Sequence, residues 1–160
     1  MTTVDDEYRA LAERMCGREV SSTRMFLYTL QIYFAPDAGR AAGVEIWCEP
    51  SWHIRSESGI VTGSGAIDGP STFGDEAEVA RASATIVAAG GKSKVLVGTV
   101  LHTLTVDADT HALEARFSGG IVVSTFMDDP ETSSLWVLRD RTRDTAVRGT
   151  ARGIAMGTRE

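Results

Sequence analysis

The amino-acid sequence predicts an α+β fold: a mainly antiparallel curved sheet, sandwich or small barrel, built from two similar strand units with two helices packed on it. Three observations predict it. The first is alternation. Leu30, Ile32 and Phe34 alternate with Gln31 and Tyr33, and Val44, Ile46 and Cys48 with Glu45, Trp47 and Glu49, which is the two-residue period of a half-buried strand. The second is a repeat. Leu30-Gln-Ile-Tyr-Phe34 matches Leu113-Glu-Ala-Arg-Phe117 at an offset of 83, and Trp52-His-Ile-Arg55 matches Trp136-Val-Leu-Arg139 at 84. Gly43 matches Gly120 at 77, so the first turn is six residues longer in the first copy, and the loop Asp128 to Ser134 makes the second copy seven longer there. With Trp present only three times, a shared order of Leu, Phe, Gly, Trp and Arg reads as an internal duplication, about 19–62 and 93–139, inside one domain of residues 1–160. The third is a pair of stretches with apolar residues at helical spacing, one before each copy.

Each element follows from its residues. Thr3 caps a short helix with Asp5, Asp6 and Glu7 in its first turn, Tyr8, Leu11, Ala12 and Met15 on one face, and Gly17 as its stop. No Gly or Pro breaks Val20 to Phe34, which is therefore one long bent strand or a hairpin. Pro36 to Gly39 is a turn signal. Pro50 cannot donate to a ladder, so Glu49-Pro50-Ser51 marks a bulge, or a kink before Trp52. Gly59 to Gly74 holds five of the sixteen glycines and reads as a short strand, Ile60 to Thr62, and then a loop. Asp75 to Ala89 is the second helix, with Val79, Ala82, Ile86 and Ala89 on one face and Gly90-Gly91 ending it. Lys94 to Val106 reads as a long strand, and Asp107 to His111 turns it into the second copy. Ala146-Val147 and Gly153 to Met156 leave room for one or two edge strands.

At 160 residues, 42% hydrophobic and 24% charged, the composition is that of a globular domain and excludes wholesale disorder. The net charge of −6 is uneven. Leu138 to Glu160 carries six Arg against three acids, for +3, and Met1 to Val137 carries −9. An acidic body argues against nucleic acid, which needs clustered Lys and Arg, and suits a basic protein partner. Cys16 and Cys48 read as thiols. The acidic start MTTVDDEYRALAERM is unlike a signal peptide, and no apolar run reaches the ~18 residues of a membrane span, so no membrane partner and a cytoplasmic location are expected.

The order of a helix ending in Gly17-Arg18, Leu30-x-Ile-x-Phe34, Trp52-x-Ile54, Gly63-Ser64 and Asp68, a helix, a Val-rich strand, Leu113-x-x-x-Phe-Ser-Gly-Gly120 and Leu135-Trp-Val-Leu138 resembles an uncharacterised bacterial family of small α+β proteins, a domain of unknown function. The resemblance covers about Gly17 to Met156. It implies a fold, and it brings no activity, ligand or functional residue with it.

The candidate chemistry is sparse. Gly90-Gly-Lys-Ser93 ends like a phosphate-binding loop, but Ile86 stands where that motif needs its first Gly, and the order is helix to strand. Thr62 to Asp68 lacks the dinucleotide and nucleophile-elbow spacings. His53, His102 and His111 lie at no metal-ligand spacing, and Cys48 with His53 alone makes neither a zinc site nor an oriented nucleophile. No catalytic residue, metal or cofactor is expected. Glu45, Trp47, Glu49 and His53 form the candidate binding row, because they share one strand face if the strand runs on past Pro50 without a bulge. An indole between carboxylates suits an incoming Arg or Lys. The expected function is a non-enzymatic, protein-binding module, immunity- or inhibitor-like, that takes a basic protein on this acidic face. The alternative is a small-molecule-binding or cyclase-like β-barrel with a cavity lined by Phe34, Trp52, Phe117 and Trp136.

Overall fold

In the computed structural model, which describes residues 3–36, 43–67, 75–127, 131 and 134–157, the chain starts with a capping box. The Thr3 hydroxyl accepts from the Asp6 amide and the Asp6 carboxylate accepts from the Thr3 amide, opening helix α1 (Val4–Met15). Leu11 and Met15 of this helix are fully buried. After Gly17, whose φ of 85° lies in the left-handed region, come β1 (Val20–Phe26), β2 (Thr29–Phe34), β3 (Val44–Cys48), β4 (Trp52–Ser56) and β5 (Gly59–Gly63). Helix α2 (Glu76–Ser93), capped by Asp75, precedes β6 (Leu101–Val106), β7 (Leu113–Phe117), β8 (Ile121–Thr125), β9 (Trp136–Asp140), β10 (Thr145–Thr150) and β11 (Gly153–Met156). The expected α+β class is the one observed.

The strands pair antiparallel into a six-stranded sheet, β1-β2-β3-β9-β10-β11, and a five-stranded sheet, β5-β4-β8-β7-β6, which do not close into a barrel. Both sheets have the same plan. The run β1-β2-β3 takes β9 as its next strand, and the run β6-β7-β8 takes β4, so each half of the chain completes the other's sheet. Helix α2 packs on β1 and β5, one edge of each sheet. Helix α1 packs on β3, β9, β10 and β11, and its Tyr8 hydroxyl donates to the Leu104 carbonyl of β6 at 3.3 Å, reaching the opposite edge. The helices therefore cover the two open sides of the sandwich.

Phe34, Trp52, Phe117 and Trp136 are 1%, 2%, 3% and 0% exposed, as the repeat predicts. The two buried indoles are held alike. Trp52 Nε1 donates to the Tyr28 carbonyl at 2.6 Å, in the turn before β2, and Trp136 Nε1 donates to the His111 carbonyl at 2.8 Å, in the turn before β7. A buried indole needs such an acceptor.

Three expectations are corrected or resolved here. Val20 to Phe34 is a hairpin, and its turn uses Leu27 at a φ of 52°, a conformation for which Gly or Asn would have been the sequence signal. Helix α2 does not stop at Gly90-Gly91. It continues to Ser93, which is fully buried and shares a 2.8 Å hydrogen bond with Thr23 of β1, so a tertiary contact offsets the roughly 1 kcal/mol that each interior glycine costs. Lys94 to Leu96 is a 3-10 turn and the strand starts only at Leu101; Leu96 enters the core while Val95 and Val97 stay exposed. On α2, Val79 is also exposed. The expected Gly119-Gly120 turn is present, with φ of 77° and 74°, and two strands follow Arg139, of which only β11 is an edge, since β10 lies between β9 and β11. The long first turn from Asp37, the loop at Asp68 to Gly74 and most of Asp128 to Ser134 lie outside the described residues. Among the described residues, no helix is long and apolar enough to cross a membrane.

Candidate functional site

Glu45, Trp47 and Glu49 do not share a face with His53. The chain leaves the six-stranded sheet after β3 and enters the five-stranded sheet as β4, so the Glu49-Pro50-Ser51 interruption is a change of sheet and not a bulge within one strand. His53 consequently lies on the outer face of the other sheet.

Glu45 does not await a partner's cation. It is 2% exposed, accepts from Arg141 Nε at 2.9 Å, and lies 4.0 Å from Arg139 Nε. Arg139 also places its guanidinium carbon 5.5 Å from the centre of the Trp47 ring. The cation over the indole and against the carboxylate thus comes from the chain's own Arg-rich tail, because β9 is the neighbour of β3 and sets Arg139 opposite Glu45. Contact with Glu45 raises the Arg141 pKa further above its ordinary value. Glu49 is half-buried and accepts from the Thr29 hydroxyl at 2.8 Å.

Trp47 is half-buried on the outer face, in a row with Val137 of β9 and Arg148 of β10. A cleft of about 180 Å³ lies over this row, bounded by Trp47, Glu49, Ser134, Arg139 and Arg148 with Val137 in its lining. Among the described residues, three at this cleft carry a buried polar atom with no hydrogen-bond partner: Trp47 Nε1, Ser134 Oγ and Arg148 Nε. Each such atom costs ~1–3 kcal/mol when left unsatisfied, and three around one cleft differ from the paired indoles of Trp52 and Trp136. Ser134, Arg139 and Arg148 were not legible as site residues. The outward alternation of Val137 and Arg139 was the available signal, and only the β3–β9 pairing brings it to Trp47.

His53 lines a larger open groove of about 380 Å³ with Arg55, Glu114, Ser124 and Phe126. Its ring centre is 4.5 Å from that of Phe126, and burial, with a smaller effect from Arg55, pushes its pKa below the ordinary value, so it is neutral near pH 7. By register His53, Ser124 and Glu114 are neighbours across β4, β8 and β7. They do not form a hydrolytic triad. A triad places the imidazole between acid and hydroxyl, whereas here Ser124 lies in the middle, His53 Nε2 has no partner among the described residues, and Glu114 is held by Arg116 at 2.8 Å and Arg55 at 3.7 Å.

A Cys48 and His53 nucleophilic pair is likewise unsupported. Cys48 is fully buried and its thiol is pushed up to about 12, chiefly by burial. Cys16 is half-buried and raised by burial to a lesser degree. In native protein at pH 8, a thiol reagent such as Ellman's is expected to react slowly at Cys16 and not at Cys48, and at both after denaturation; rapid native labelling of Cys48 would contradict this packing. Among the described residues, no group of His, Cys, Asp and Glu is placed to hold a metal. No family model, curated protein or solved structure matches the chain.

Proposed function

We propose that the protein is a non-enzymatic, cytoplasmic binding module, of the immunity- or inhibitor-like kind, that contacts a protein partner through the outer face of its six-stranded sheet around Trp47. One observation carries this reading: the three unpartnered buried polar atoms grouped at the Trp47 cleft, since native proteins leave few such groups without a reason. Trp and Arg are also the side chains most enriched at binding hot spots. Two thiols, neither in a disulfide, support the cytoplasmic part. The matching plans of the two sheets support one domain made from a duplicated unit, about 19–62 and 93–139. The internal-ligand alternative is disfavoured because Phe34, Trp52, Phe117 and Trp136 fill the interior between sheets that do not close. A basic partner is also disfavoured at this face, because Glu45 already has two arginines.

The test places the photoreactive residue benzoylphenylalanine at Trp47 and, as a control, at exposed Thr103 on the other sheet. Cross-links to a partner are expected from the first position only. With that partner purified, Trp47→Ala is expected to weaken binding roughly 30-fold or more, the effect of an interface hot spot, while Thr103→Ala leaves it unchanged. Equal cross-linking from both positions, or full affinity in Trp47→Ala, rejects the contact face.

A further inference from the structure

The chemistry of the Trp47 cleft is one-sided. An indole Nε1–H and a guanidinium Nε–H can only donate, and a serine hydroxyl can donate as readily as accept. Trp47 and Arg148 lie on either side of Val137 in the same row of the sheet, so the two obligate donors flank an apolar floor. Arg139 adds a second positive charge beside the indole. The acid at the cleft, Glu49, is already engaged by Thr29. With Glu45 counted as well, two carboxylates stand against Arg139, Arg141 and Arg148, so the face keeps one net positive charge. What is missing is an acceptor, small and negative, attached to a short apolar stem that can lie on Val137.

We propose that the cleft binds a carboxylate, that of an acidic side chain on a partner protein. The inference rests on the reading of this face as the contact surface, and names what that surface recognises. A carboxylate has two oxygens for the indole and guanidinium donors, which it meets once the side chains over the cleft part around it, both nitrogens being buried in the unbound chain, and charge-assisted hydrogen bonds of this type are the stronger kind. A side chain fits better than a free acid. At about 180 Å³ the cleft is smaller than the roughly 300–1,000 Å³ of sites that enclose a free ligand, and it opens on a broad sheet face. The tail of an acidic protein thus builds a local site for acids.

Nitrogen-15 labelled protein reports on this directly, because Trp47 Nε1–H and Arg148 Nε–H give their own signals, assigned with Trp47→Phe and Arg148→Lys. The probes are acetylated and amidated peptides of four glutamates, four glutamines and four lysines, with sodium acetate as a free acid. The glutamate peptide is expected to move both signals saturably and to bind roughly tenfold or more tightly than the glutamine peptide, with the advantage reduced in about 0.5 M salt. Trp47→Phe, which keeps an aromatic ring, though a smaller one, and removes the indole donor, and Arg148→Met are each expected to weaken the glutamate peptide by roughly tenfold, with melting temperatures confirming that they fold. Equal binding of the glutamine peptide, preference for the lysine peptide, or unmoved signals at millimolar glutamate peptide each overturn the carboxylate assignment. They leave the contact face to be judged by the cross-linking and affinity test. Acetate binding as tightly as the peptide overturns the choice of a protein side chain over a free acid.

Discussion

Replacing Trp136 by alanine is expected to lower the unfolding free energy by about 3–5 kcal/mol. The indole is fully buried, its ring centre is 5.9 Å from that of Tyr8 in α1, and its Nε1 donates to the His111 carbonyl. Truncation therefore empties the largest kind of core volume, loosens α1 from the sheet, and strands a carbonyl in the turn before β7. For a domain of this size each kcal/mol is worth about 2–4 °C of melting temperature, so the loss is easily read by calorimetry or urea titration. A second site makes the result specific. A Cβ added at Gly149, opposite Trp136 in β10, would stand 2.1 Å from the indole nitrogen. Gly149→Ala alone is thus expected to cost ~1–3 kcal/mol through overpacking, and clearly less in the Trp136→Ala background, where the clash is gone. A wild-type melting curve for Trp136→Ala, or additive costs in the pair, would show that the indole does not sit on that glycine.

The elements that were legible in the sequence are those whose burial follows a period. Leu30, Ile32 and Phe34 alternate and all point inward; Leu113, Ala115 and Phe117 repeat the pattern in β7. The same logic marked Trp52 and Trp136 as core. What stayed hidden is set by contacts distant in sequence. The turn at Leu27 has no glycine, Ser93 extends a helix because Thr23 is waiting 70 residues away, and Val95 and Val97 have strand composition without a strand to pair with. The candidate site suffered most. Counting charges along the chain puts an acidic body in one part and a basic tail in another, but the tail folds back as β9 and β10, and its arginines fall on Glu45 and Trp47. A row that reads as acidic becomes, in three dimensions, a neutralised carboxylate beside a donor-rich cleft. His53 was misplaced for a simpler reason. The shared face requires the strand to run on past Pro50, and the chain changes sheets there.

Asp140 is where that fold-back is fastened, and its replacement is the second large effect expected. The carboxylate is fully buried at the end of β9. It pairs with Arg14 of α1, accepts from the Thr142 amide at 3.0 Å and hydroxyl at 2.7 Å, and accepts from the Arg143 amide at 3.3 Å. One side chain therefore fixes both the β9–β10 turn and the last turn of α1, and the turn is further docked by the Arg141 amide donating to the Gly43 carbonyl at 2.7 Å. Removing one member of a buried ion pair costs about 3–5 kcal/mol, because the charge left behind keeps its desolvation without its partner. Asp140→Ala should fall in that range. Asp140→Asn keeps an acceptor for the Thr142 and Arg143 donors but loses the charge, so its cost should be smaller, ~1–3 kcal/mol. If the two halves of the clasp act together, Arg14→Met and Asp140→Asn should be non-additive by about 1–3 kcal/mol in a double-mutant cycle. The coupling should survive 1 M salt largely intact, since buried pairs are poorly screened. A cost below about 1 kcal/mol for Asp140→Ala, in the range of surface pairs, would mean that Arg139 and Arg148 are brought to Trp47 by strand pairing alone. In the expected case, Asp140→Ala should also reduce binding at the Trp47 cleft, by loosening the turn that sets Arg148 beside it, with no contact to the ligand.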